Sequence, residues 1–124
     1  IACTLCSRLL EAGIVVSAYS NGIDVLTGKP MALPEVSGAG SVLSLRKAFA
    51  CAKAANDLIP IEEYFPGEDS DLLCVLVSRS QREDLARAFA QCAGQREWVQ
   101  IVPYQDSYEE MPQFGTVHRF YWEV

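Results

Sequence analysis

Cys3-Thr4-Leu5-Cys6 sets two thiols three positions apart, a spacing that lets both reach one metal ion or close a redox pair. A structural zinc site needs two further ligands, and the chain offers only Cys51, Cys74, Cys92 and His118, with no second short spacing among them. A redox pair works best at the start of a helix that follows a strand, where the helix dipole lowers a thiol pKa, whereas this pair opens the chain. These thiols are therefore expected to be structural, with no metal and no cofactor. His118 is the only histidine, so any Ser-His or Cys-His design would have to use it. At strand spacing it stands beside Phe120 and Trp122, which marks it as a packing residue. No catalytic residue is expected.

Ser37-Gly38-Ala39-Gly40-Ser41 could offer backbone amides to a phosphate. It lacks the third glycine of a dinucleotide fingerprint and the Gly-Lys-Ser/Thr ending of a P-loop, so a flexible loop is the plainer reading. The clearest bias in the chain is acidic. Residues 57–71 carry six acids and no base: Asp57, Glu62, Glu63, Glu68, Asp69 and Asp71. Residues 97–110 carry four acids and no base, including Asp106, Glu109 and Glu110. Gly67-Glu68-Asp69-Ser70-Asp71 does not follow the alternation of a calcium loop, which leaves two readings, solvated loop surface or a docking surface for a basic partner.

The 124 residues are expected to form a single α+β domain over 1–124, because a chain this short buries roughly two thirds of its unfolded surface in one core. Half the residues are apolar and 21% charged, which excludes disorder, collagen and coiled coil. Ten basic against sixteen acidic residues give a net charge of -6, which argues against direct nucleic-acid binding and against an anionic membrane. No apolar run approaches the roughly eighteen residues that span a bilayer. Five cysteines, odd in number and set in apolar stretches, together with an opening that lacks the pattern of a signal peptide, point to a cytoplasmic protein with free thiols.

The elements that must position these groups follow from periodicity. Residues 2–12 read as an amphipathic helix with Gly13 as its stop. Residues 14–19 and 23–27 read as a hairpin around Asn21-Gly22, and 28–40 as a long connection. A helix capped by Ser41 is expected over 42–58, ended by Pro60, with an acidic loop over 61–71. The apolar run 72–77 reads as a central strand covered on both faces. Ser80-Gln81-Arg82-Glu83 reads as a capping box for a helix whose buried stripe is Leu85, Phe89 and Cys92. Strands at 98–102 and 116–124 follow, the second with Phe120 and Trp122 turned inward and Val117, Arg119 and Tyr121 outward, the two pairing antiparallel across a second acidic loop.

The expected order is α-β-β-α-β-α-β-β, a two-layer sandwich with a mixed, mostly antiparallel sheet of about five strands and two to three helices. The Gly after a Leu-rich helix and the Asn-Gly turn, over at most residues 1–59, resemble the small docking domains of multienzyme synthase subunits; both features are generic and imply no function here. In size and charge the chain is similar to phage-encoded inhibitors of bacterial defence and to toxin-neutralising immunity proteins. The functional expectation is a small acidic, non-enzymatic interaction module, an inhibitor or adaptor that docks on the basic surface of a larger protein. The alternative is a phosphate or small-molecule binding domain, or a small enzyme, built on the Ser37-Ser41 loop.

Overall fold

Cys3, Cys6, Ser7 and Leu10 recur at helical spacing and form the inward face of α1 (Ala2–Glu11). Gly13 stops it at φ +80, and the Ile14 N–H reaches back to the Leu9 carbonyl at 2.9 Å. The structure is a computed structural model that describes residues 1–124 apart from 58, 66–71, 81, 95–96 and 114–115. The chain divides into two compact units, Ile1–Phe65 and Pro66–Val124, each with its own sheet. The class is α+β, with four α-helices and six strands among the described residues. In place of one mixed sheet of about five strands there are two three-stranded sheets, one antiparallel and one parallel.

In the first unit, β1 (Val16–Asp24) pairs antiparallel with β2 (Pro30–Val36), so residues 28–40 are not simply a connection and the hairpin does not turn at Asn21-Gly22. The reversal lies at residues 24–29, where the Asp24 carboxylate accepts the Leu26 N–H at 2.8 Å and Gly28 supplies φ +70. Asn21 and Gly22 sit within a register shift between Tyr19 and Ile23, a bulge in which Gly22 donates to Ser20 Oγ. Pro30 and Pro34 are tolerated because β2 is an edge strand in the order β2-β1-β3. A 3₁₀ turn (Ala39–Ser41) leads into α2 (Val42–Cys51), which stops well short of residue 58. Ala52 turns extended, and β3 (Ala52–Lys53) pairs with Ile23 and Asp24. The Ser41 hydroxyl donates to the Ser37 carbonyl at 2.7 Å and does not cap the helix. A short α3 (Ile61–Tyr64) occupies the start of the expected acidic loop. Leu10, Val16, Ala18, Met31 and Leu45 make the core of this unit.

In the second unit, β4 (Cys74–Val77), β5 (Trp98–Tyr104) and β6 (Val117–Glu123) form a parallel sheet in that order, with α4 (Glu83–Cys92) as the crossover between β4 and β5. The run at 72–77 is thus an edge strand and β5 is central; Leu72 and Leu73 are exposed. Arg82, not Ser80, precedes α4, no side chain caps it, and its buried stripe is Ala86, Phe89 and Ala90. The Phe89 ring packs on Trp98 at 4.9 Å between centroids. The last two strands run parallel, not antiparallel: the segment at 105–113 lies along the sheet, with Met111 bonded to Arg119 and Tyr121 of β6. The phase of β6 is also opposite to expectation. Val117 is buried and Arg119 and Tyr121 half-buried, while Phe120 is 59% and Trp122 53% exposed. No helix among the described residues is long and apolar enough to cross a membrane.

Candidate functional site

Asp57, Glu62, Glu63, Asp106, Glu109 and Glu110 are all exposed, and among the described residues none of them forms an ion pair. Glu68, Asp69 and Asp71 lie outside the described residues. Other acids do hold a base: Glu11 pairs with Arg8, Glu83 with Arg87 and Asp84 with Arg82. The hydrogen bond from Arg82 holds the Asp84 carboxyl below its ordinary range. Among the described residues Glu35 and Glu123 are likewise exposed without a base, and Glu97 lies 3.6 Å from His118. The acids on α4 are cancelled within the helix turn, and the candidates are not. Asp57, Glu62 and Glu63 belong to the first unit and Asp106, Glu109 and Glu110 to the second, so they form two groups. Glu62 and Glu63 fill the first turn of α3, where carboxylates favour a helix start. Asp106 takes φ 66 within the Gln105–Ser107 bridge, a conformation that Asp tolerates better than most residues.

Glu109 and Glu110 are placed differently. The segment that carries them is tied to the sheet on both sides. Before it, Tyr108 stacks on Tyr121 with centroids 4.0 Å apart and planes 13° apart, and touches Tyr104 at 4.8 Å. After it, the Met111 N–H donates to the Tyr121 hydroxyl at 2.9 Å. Arg119 completes the fastening, its guanidinium donating to Gln100 Oε1 at 2.9 Å and to the carbonyls of Met111 and Pro112 at 3.2 and 2.5 Å. Gln100 is only 2% exposed, so its carboxamide oxygen depends on Arg119 for a partner. Gln113 then donates to the Val117 carbonyl at 3.1 Å. The acidic loop after β5 is therefore a strap held along β6, with its two glutamates presented outward. Composition does not announce this network, but a lone glutamine inside Trp98-Val99-Gln100-Ile101-Val102 and a lone arginine in an aromatic strand are its sequence marks.

The remaining candidates take other roles. None of the five cysteines is in a disulfide; Cys74 is buried, and Cys3, Cys6, Cys51 and Cys92 are half-buried. Burial, then the neighbouring Cys3, pushes the Cys6 thiol up, which is the reverse of an activated nucleophile. Among the described residues no three His, Cys, Asp or Glu side chains gather as a metal would require. The His118 ring is exposed on the surface, 3.6 Å from the Glu97 carboxylate, and does not pack inside the sheet. The Ser37-Ser41 loop places Gly38 at φ +79, and its Ser41 hydroxyl is committed to the loop's own backbone. Comparison with protein-family models, with curated proteins and with solved structures finds no match, so the functional reading rests on this chain's own residues.

Proposed function

We propose that this chain is a small acidic, non-enzymatic protein interaction module of the cytoplasm, an inhibitor or adaptor that docks on a basic protein surface. The observation that carries the reading is that the carboxylates of Asp57, Glu62, Glu63, Asp106, Glu109 and Glu110 are exposed and hold no base among the described residues. Charge left unneutralised on a surface raises the potential around it and speeds encounter with an oppositely charged partner. Glu68, Asp69 and Asp71 extend the same run in sequence. Solvated surface is the competing explanation, strongest for Glu62, Glu63 and Asp106, which have local conformational reasons to be where they are.

The test is kinetic. A partner captured from the native cell should associate with a rate that falls steeply between about 50 and 200 mM salt. Glu62→Lys with Glu63→Lys, and separately Glu109→Lys with Glu110→Lys, should leave the fold intact. At least one pair should slow association and flatten the salt dependence. Equal rates and equal salt slopes in the parent and both variants would reduce these acids to solvated surface.

A further inference from the structure

β6 is an edge strand of the β4-β5-β6 sheet. Trp98 N–H bonds to Thr116 O and Val124 N–H to Tyr104 O, so the even-numbered residues of β6 turn their backbone groups toward β5. The backbone groups of Arg119, Tyr121 and Glu123 therefore face away from the sheet. Among the described residues β6 pairs with β5 alone, and only the Val117 carbonyl of the outward row is taken, by Gln113. Exposed edges are usually blunted by proline, by a bulge or by an outstretched lysine. Val117–Glu123 has none of these, and the charge of Arg119 is drawn in onto Gln100 and the strap. The two faces beside this edge differ. One carries the exposed rings of Phe120 and Trp122. The other carries the strap, which keeps Glu109 and Glu110 close to Tyr121 because both flanking residues are fastened to that side chain.

We propose that β6 receives an extended segment of a partner protein as an added strand, one whose residues alternate apolar and basic. Strand period sends every second residue to one face, so the apolar side chains would cover Phe120 and Trp122 while the basic ones meet Glu109 and Glu110. Charge decides against a second copy of this chain: a net charge of -6, with two straps brought alongside one another, opposes self-pairing. The inference rests on the acidic-module reading and supplies it with the chemistry of the partner segment.

The test uses the full chain and a synthetic peptide, Lys-Val-Lys-Phe-Lys-Val-Lys, with two controls: the same peptide with proline in place of phenylalanine, and one with every lysine replaced by glutamate. Amide exchange read by NMR should slow at least about tenfold at Arg119 and Tyr121 with the first peptide and with neither control. Phe120→Ser with Trp122→Ser should abolish that protection, as should Glu109→Gln with Glu110→Gln. Binding by the proline control, or shifts confined to residues 57–63, would overturn strand addition while leaving the acidic-module reading intact. Equal protection by the acidic peptide would overturn the basic partner, and with it that reading. A dimer in sedimentation equilibrium that the Phe120→Ser, Trp122→Ser variant dissolves would overturn the proposal by making a second copy the occupant.

Discussion

Arg119 fastens the strap to the sheet, because one guanidinium satisfies a buried carboxamide oxygen and two strap carbonyls. Arg119→Ala should lower the unfolding free energy by about 2 kcal/mol, the cost of a buried acceptor left without a donor. It should also speed amide exchange at Met111. Arg119→Lys should recover less than half of that stability, since a lysine ammonium cannot reach three acceptors in the fork geometry. Urea titration and exchange rates check both. At the other end of the chain, Cys6 has a pKa raised above its ordinary value of 9.0 by burial and by Cys3. A raised thiol pKa means that the folded state favours the protonated form. Its contribution to stability is therefore complete below about pH 9 and is lost as pH climbs through the raised value. Melting temperature should fall above pH 9, and Cys6→Ala should weaken that fall. An identical pH profile in the variant would show that Cys6 does not contribute.

At the scale of elements, the first hairpin separates two glycines with different duties. Gly28 holds φ +70 with open space where a Cβ would stand, so Gly28→Val should cost about 1–2 kcal/mol through backbone strain alone. Gly22 has no such backbone demand, but a Cβ there would meet the Lys53 carbonyl at 3.3 Å and the Ala52 Cβ at 3.4 Å. Gly22→Val should therefore loosen β3 from β1, seen as faster exchange at the Val25 amide, which bonds to the Cys51 carbonyl just before β3. The closing strand divides in the same manner. Phe120→Ser with Trp122→Ser removes exposed rings and should shift the urea midpoint little. Trp98→Ala should cost about 3–5 kcal/mol because Trp98 is 1% exposed and packs on Phe89. Equal destabilisation by the two changes would place Phe120 and Trp122 in the core after all.

For the whole molecule, we propose that residues 1–124 unfold as one domain, and the two compact units, Ile1–Phe65 and Pro66–Val124, provide the test. A unit of about sixty residues buries a smaller fraction of its surface than a chain of twice that length, and is correspondingly marginal. Calorimetry should show one transition whose van't Hoff and calorimetric enthalpies agree. Leu45→Ala, at a fully buried position of the first unit, should lower that single transition as a whole. Two transitions, of which Leu45→Ala moves only one, would make the units separate folding domains.

What the sequence determined by itself is what short-range contacts decide. The helix at Ala2–Glu11 with Gly13 as its stop and the helix at Glu83–Cys92 both rest on interactions within a few residues. Hydrophobic alternation located β6 but not its phase, because both rows of Val117–Glu123 contain large rings. The phase was settled by Gln100, nineteen residues before Arg119, and by the strap that covers Arg119 and Tyr121. The turn dipeptide Asn21-Gly22 was overruled in the same way. A bulge against β2 absorbs it, while the Asp24 carboxylate and Gly28 make the reversal. Direction, register and the covered face of a strand depend on partners far away along the chain, whose pairing only the assembled sheet defines.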